Sequence, residues 1–180
     1  MADDRFRYFA YGSNMLTRRL RAENRAPSAR VEGTGFVTGR RLTFDKVSDK
    51  AGHRSGKCDV EATGIQTDRV YGVLFSIDRA DEKALDKAEG ATGQNPGYEN
   101  ADVEVMTNDG SRQRAVAYVA VATKKDPSLR PYHWYKAFVV AGAVEHGLPQ
   151  SYVEWLRTFE SQPDPDVVRR TENEALLFDN

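Results

Sequence analysis

Two short segments of the 180-residue chain combine residue types that can bind an anion and move a proton. In the first, an apolar strand leads into Tyr11-Gly12-Ser13-Asn14, and a helix is predicted from there to about Glu23. Such a turn leaves backbone N–H groups unpaired at the helix start, where they suit an anion such as a substrate carboxylate. An ordinary strand–turn–helix, with a special backbone angle at Gly12 and Asn14 as the cap, fits the same pattern.

The second segment is a helix predicted from Arg79 to Glu89, with Asp78 as its N-cap and Gly90 as its end. Glu89 lies in the last turn, where the negative end of the helix dipole disfavours a carboxylate. This end of the helix carries three apolar residues that indicate inward packing: Ala84, Leu85 and Ala88. We therefore expect a raised pKa for Glu89, which suits a general base near neutral pH. An ordinary surface glutamate is the alternative.

Several other kinds of site are excluded by the residues they lack. Cys58 is the only cysteine, so no intrachain disulfide and no cysteine-based metal site can form. The three histidines lie far apart in the sequence: His53, His133 and His146. The glycines at 33–39 and the segment 52–57 do not have the spacing of a dinucleotide- or phosphate-binding loop. We therefore expect no metal and no cofactor.

The composition limits the classes of binding partner and the cellular compartment that we expect for this protein. Lys and Arg total 26 against 27 Asp and Glu, so the formal net charge is -1 and no basic excess indicates nucleic acid. No segment approaches the roughly 20 apolar residues of a membrane helix, and the first residues do not resemble a leader peptide. We expect a cytoplasmic protein that binds neither nucleic acid nor membrane.

The remaining elements form the frame that must position both segments. Alternating Val, Thr and Phe predict two strands between Ala29 and Val47, and the polar residues 48–57 predict a loop. Further strands are predicted at 60–65 and 70–77, a hairpin at 98–121 around Asn108-Asp109-Gly110, and helices at 131–146 and 151–160. Strands in the middle with helices around them indicate one α+β domain built on a curved, mostly antiparallel sheet or small barrel.

Taken in order, five landmarks resemble the γ-glutamylcyclotransferase and AIG2-like family. They are AYGSNM at 10–15, YGVLFSI at 71–77, LDKAEG at 85–90, Gly97-Tyr98, and YKAFVVAGAVEHGLP at 135–149. The resemblance covers about residues 5–160. It implies an α+β fold with a small mixed β-barrel flanked by helices, in a domain spanning residues 1–163. Residues 164–180 are left as a polar C-terminal tail.

The resemblance also implies roles for individual residues. Glu89 takes the place of the catalytic glutamate. A loop that holds the glutamyl group corresponds to Tyr11, Gly12, Ser13, Asn14 and Met15, and two aromatic residues that line the pocket correspond to Tyr98 and Tyr135. The glutathione-specific branch of the family typically carries leucine at the position of Asn14, so this residue points away from that branch.

The implied reaction needs little from the enzyme. A γ-glutamyl substrate carries its own nucleophile, the α-amine, which can close a five-membered ring on the γ-carbonyl and release 5-oxoproline and an amine. This is a lyase reaction by intramolecular acyl transfer, in which Glu89 moves the proton and the turn at 12–15 anchors a carboxylate or oxyanion. The implied partner is a small-molecule γ-glutamyl substrate. A homodimer is compatible with the resemblance.

Two alternatives remain open at this point. The chain can be a non-catalytic module that binds a γ-glutamyl ligand, although the retained Glu89 argues against this. It can also be a cyclotransferase for γ-glutamyl amines or for a biosynthetic intermediate, which the loops around the pocket would decide. Ser13 is not favoured as a nucleophile because it lacks the Gly-X-Ser-X-Gly turn and a placed histidine. Cys58 is interpreted as a structural cysteine.

Overall fold

The computed structural model describes residues 4–178, and its centre is a closed five-stranded barrel. The strands are β1 (Arg5–Ala10), β2 (Arg30–Thr38), β5 (Arg69–Asp78), β6 (Tyr98–Thr107) and β7 (Arg112–Ala120). Their order is β1-β5-β2-β6-β7, and all pairs are antiparallel except β1 with β7, which closes the barrel in parallel. The predicted α+β fold with a small barrel is confirmed.

Strands β3 (Arg40–Lys50) and β4 (His53–Ala62) form a separate two-stranded antiparallel sheet beside the barrel. The predicted loop at 48–57 is wrong, because these residues pair with each other and only Ala51 and Gly52 turn the chain. The end of this hairpin is exposed on both faces. Because both faces of this end are exposed, its residues are mostly polar. It therefore lacks the alternation of apolar and polar residues that identifies a half-buried strand in a sequence.

The helix predicted from the Ser13 region to Glu23 is also corrected. Residues Ser13–Met15 form a single 3-10 turn, and α1 covers only Thr17–Leu20. Leu16 lies between them with extended backbone angles and a buried side chain, so the helix cannot run through it. The predicted cap by Asn14 is absent, since no side chain caps the 3-10 turn.

The first three of the four longer helices within residues 4–178 lie close to their predicted positions, and the fourth was not predicted from the sequence. They are α2 (Arg79–Glu89), α3 (His133–Glu145), α4 (Gln150–Thr158) and α5 (Val167–Phe178). Gly90 ends α2 in the left-handed conformation with φ 70°, as the sequence predicts. No helix within residues 4–178 is long and apolar enough to cross a membrane.

Helix α3 fixes the 13–16 turn against the barrel. A Cβ atom on Gly142 would lie 2.5 Å from the backbone nitrogen of Leu16 and 2.6 Å from Met15, so only glycine allows this approach. Phe138 of α3 is fully buried and belongs to the same core as Phe9 of β1. The turn is therefore clamped between a helix and the barrel, and its conformation is set by tertiary packing.

The segment after residue 163 packs on the same helix. Asp164 is buried and accepts hydrogen bonds from the indole N–H of Trp134 (2.9 Å) and the guanidinium of Arg169 (2.5 and 2.7 Å). The sequence analysis did not anticipate α5, whose Leu176 and Leu177 pack against the core. The proposed domain boundary at residue 163 stays a prediction.

Candidate active site

A small cavity opens where β1 runs into the 3-10 turn and α2 ends. Ten residues line it: Tyr8, Tyr11, Gly12, Ser13, Asn14, Cys58, Glu89, Tyr98, Tyr118 and Tyr135. Seven of the eight residues named from the sequence as site residues line it; Met15 instead lies fully buried behind the turn.

Among residues 4–178, Glu89 is the only carboxylate lining this cavity. Its Oε1 accepts hydrogen bonds from the side-chain amide of Asn14 (3.0 Å) and from Nη1 of Arg25 (2.6 Å). Nη1 of Arg25 also lies 3.3 Å from Oδ1 of Asn14, so the three side chains hold one another. Two donors thus fix Oε1, and neither of these bonds involves Oε2.

The electrostatics of Glu89 differ from the sequence prediction. Burial alone raises the pKa of this carboxyl, as expected for the end of an inward-packed helix. The charge of Arg25, the hydrogen bond from Asn14 and the charges of Lys57 and Arg19 outweigh burial, and together they lower the pKa below its ordinary value. Glu89 is therefore ionised near neutral pH and can accept a proton.

The turn at 12–15 offers backbone donors beside the same cavity. The N–H of Met15 donates to the carbonyl of Gly12 (3.0 Å), so it is not available to a ligand. Within residues 4–178, the N–H groups of Ser13 and Asn14 have no hydrogen-bond partner. Unpaired N–H groups beside a pocket suit a carboxylate or a developing oxyanion. The turn therefore offers a ligand the N–H groups of Ser13 and Asn14, and not all of its backbone N–H groups.

Gly12 is constrained by space rather than by an unusual backbone angle. Its φ of -115° is open to any residue, contrary to the special angle considered from the sequence. A Cβ atom here would lie 3.0 Å from the Cβ of Cys58. Cys58 itself is buried, and burial raises the pKa of its thiol well above the ordinary value. This supports its interpretation as a structural cysteine that shapes the pocket wall.

The pocket tyrosines hold the wall together through their hydroxyl groups. The Tyr98 hydroxyl donates to the carbonyl of Cys58 (2.5 Å), and the Tyr135 hydroxyl accepts from the N–H of the same residue (3.1 Å). The Tyr11 hydroxyl donates to the carbonyl of Tyr118. All three side chains are buried, and burial raises their pKa values. They therefore stay neutral and present rigid aromatic surfaces to a ligand.

Cations surround the pocket in excess over carboxylates. Arg19 stacks on Phe138, with its guanidinium carbon 5.0 Å from the ring centroid, and burial lowers its pKa to about 10. Lys57 is half-buried beside Tyr135; burial and the nearby Arg19 lower its pKa to about 7. Burial also lowers the pKa of Lys46, which lies over the ring of Tyr98. The positive surroundings suit a ligand with net negative charge.

Several residues of this site were not predicted from the sequence. Arg25 comes from an irregular segment 64 residues before Glu89, and no local pattern links the two. Tyr8 receives a hydrogen bond from Asn14 (3.1 Å) and lies edge-on to Tyr118. The one available signal for Tyr8 was its alternation with Phe6 and Ala10 in a predicted strand, which indicates a shared face.

Comparisons with known proteins agree with this geometry. Residues 69–156 match the AIG2-like family. The mouse protein named gamma-glutamylcyclotransferase is 30% identical over 155 residues, which cover 86% of this chain and 79% of that protein. The human protein of the same name is 29% identical over 189 residues, covering 97% and 93% of the two chains.

A solved structure described as a gamma-glutamyl cyclotransferase superposes with a TM-score of 0.79. It is 26% identical in sequence, and the match covers 96% of this chain and 98% of that structure's chain. The similarity therefore extends over the barrel, the hairpin and the helices that build the pocket.

Proposed function

Since this chain belongs to the γ-glutamylcyclotransferase family, we propose that it cleaves a γ-glutamyl amide by attack of the substrate's own α-amine. The products are 5-oxoproline and a free amine or amino acid. One observation supports the assignment to this pocket most directly. An ionised Glu89 is held by Asn14 and Arg25 in the wall of a cavity that the 12–14 turn and five tyrosines also line. In the proposed reaction Glu89 acts as both the general base and the general acid.

The reaction requires two proton movements and no enzyme nucleophile. The Glu89 carboxylate takes a proton from the α-ammonium, and the resulting amine attacks the γ-carbonyl carbon. The carbon–nitrogen bond to the leaving group then breaks as protonated Glu89 returns its proton to the departing nitrogen. The α-nitrogen loses its second proton to water, and the released amine takes up one, so the charge balances. Holding the substrate folded makes the ring closure intramolecular.

The turn and the tyrosines have supporting roles in this proposal. The N–H groups of Ser13 and Asn14 bind either the α-carboxylate or the oxyanion that forms on the γ-carbonyl. Gly12 keeps the turn close to the wall at Cys58, and Met15 packs behind it. The aromatic surfaces of Tyr11, Tyr98 and Tyr135 exclude water and restrict the conformations of the bound chain. The cytoplasmic location expected from the composition and the homodimer compatible with the resemblance both remain predictions.

The experiment follows 5-oxoproline by mass spectrometry. The purified protein is incubated with γ-glutamyl amino acids, γ-glutamyl amines, glutathione and N-acetyl-γ-glutamylalanine. We expect 5-oxoproline from at least one substrate with a free α-amine and none from the acetylated compound, because its nitrogen cannot attack. Glutamate in place of 5-oxoproline would identify a hydrolase, and release from the acetylated compound would rule out the α-amine as nucleophile. Binding of the panel without any product would favour a non-catalytic module.

A further inference from the structure

Two lysines face each other on the hairpin beside the pocket. Lys46 of β3 and Lys57 of β4 are paired in the antiparallel register, immediately after the irregularity between Thr43 and Lys46. Directly opposed side chains of an antiparallel pair lie on the same face of the sheet. Two like charges in such an opposed pair destabilise the sheet. A pairing that costs stability on a hairpin next to a site requires a functional explanation.

Both lysines contact the wall of the pocket. The Nζ of Lys46 lies 4.7 Å from the ring centroid of Tyr98, and the Nζ of Lys57 lies 5.9 Å from that of Tyr135. The Lys46 side chain also covers Gly97, where a Cβ atom would lie 2.8 Å from its Nζ. Neither lysine forms an ion pair with any of residues 4–178. The two ammonium groups are therefore available to a ligand that passes these tyrosines.

The surrounding charges do not neutralise the pair. Glu89 is close enough to influence both lysines, but its carboxylate is already bonded to Arg25. The other charged neighbours of Lys46 are Lys50 and Lys124. Lys57 has Arg19 and Arg25 nearby. The pKa values of both lysines are lowered, which is the effect expected for partly buried cations without a counter-ion.

We propose that Lys46 and Lys57 bind the leaving group of the substrate and favour γ-glutamyl conjugates of acidic amino acids. The proposal rests on the function proposed above. In the proposed function the glutamyl group binds beside Glu89, and the two lysines do not line that cavity. They flank the two tyrosines of its wall, where the part of the substrate beyond the amide would lie. Two facing lysines complement the two carboxylates of a departing glutamate or aspartate, whose negative charge favours the protonated form of both amines.

The test compares two substrates that differ by one charge. γ-Glutamylglutamate and γ-glutamylglutamine have leaving groups of nearly the same shape, but only the first carries a second carboxylate. We expect kcat/KM to be about tenfold higher for the glutamate conjugate, as one additional charge-assisted contact provides. In the double variant Lys46→Met/Lys57→Met the ratio should fall to near one. Raising the salt concentration should also lower the ratio of the two kcat/KM values for the unmodified protein towards one.

The exposed Lys50 on the same hairpin provides the matched control. Lys50→Met removes an equal charge, and the ratio should stay near its original value. Equal kcat/KM for the two conjugates in the unmodified protein would overturn the proposal. So would a double variant that slows both conjugates by the same factor, because the lysines would then act on the glutamyl group or on the fold. These outcomes leave the proposed function standing, whereas absence of 5-oxoproline from every substrate would remove both.

Discussion

Two clusters of charged side chains lie on the β3–β4 hairpin, and they differ in how their charges are balanced. In the first, Lys125 bonds three carboxylates: Asp59 at 2.9 Å, Glu61 at 3.3 Å and Asp45 at 3.4 Å. Asp59 is 1% exposed and also accepts the N–H of Ala120 at 2.8 Å. Although burial lowers the pKa of Lys125, the carboxylates raise it well above its ordinary value. This cluster is held together by bonds within the protein.

The second cluster has the opposite arrangement. Lys46 and Lys57 face each other without an ion pair among residues 4–178, and the nearby carboxylate of Glu89 is bonded to Arg25. The hairpin thus joins a cluster whose charges are satisfied internally to one whose charges are not. Satisfied buried charges hold β4 against β7, whereas unsatisfied charges beside a pocket are available for a ligand. We infer that the balance of charge distinguishes the structural cluster around Lys125 from the proposed ligand-binding pair.

The largest expected effect on stability follows from Lys125→Met. The substitution leaves the buried carboxylate of Asp59 without its cation, and we expect the free energy of unfolding to fall by about 3 kcal/mol. Urea denaturation followed by circular dichroism measures it. The companion variant is Lys46→Met, which removes a like-charge contact and should change stability by less than about 0.5 kcal/mol or increase it slightly. Equal losses in the two variants would contradict the distinction between the clusters.

The next prediction concerns the ionisation of Glu89 in the pocket, and the expected effect is smaller. Arg25→Gln removes the cation that lowers the pKa of Glu89 most strongly, so that pKa should rise. Because a base must be ionised to work, the acid limb of the pH profile of kcat/KM should move to higher pH. Activity is lost at mildly acidic pH and recovers as the pH rises. Arg30→Gln, at an exposed position, is the control and should leave the limb in place.

An unshifted acid limb in the Arg25 variant would mean that the pair at 2.6 Å does not control the ionisation of the working base. A uniform loss of activity at every pH would indicate that Arg25 only supports the fold. The pH profile therefore separates electrostatic control of Glu89 from a merely structural contribution.

The sequence predicted the features that local physics determines. Asp78 and Gly90 mark the ends of α2, and their residue types are those that helix ends prefer. Glu89 became a candidate because it follows an apolar face in the last helical turn. The hairpin around Asn108-Asp109-Gly110 was predicted from its turn residues and is present. In each case the signal lies within a few residues of the feature.

The features that were missed depend on contacts distant in the chain. The helix predicted after Asn14 is broken at Leu16 because α3 approaches closely at Gly142, more than 100 residues later. The register that opposes Lys46 to Lys57 follows an irregularity in the hairpin, which no pattern in the sequence reveals. The pKa of Glu89 was predicted with the wrong sign since Arg25 lies far from it in sequence. Tertiary contacts decide all three.

Proton transfer by Glu89 in the release of 5-oxoproline is tested most directly by one pair of variants. Glu89→Gln keeps the shape of the side chain but cannot accept a proton, and Glu82→Gln makes the same change on the more exposed first turn of α2. With the best γ-glutamyl substrate and equal circular dichroism spectra, we expect kcat/KM to fall about 10³-fold in the first and less than about twofold in the second. Activity of Glu89→Gln equal to that of the unmodified protein would contradict the account.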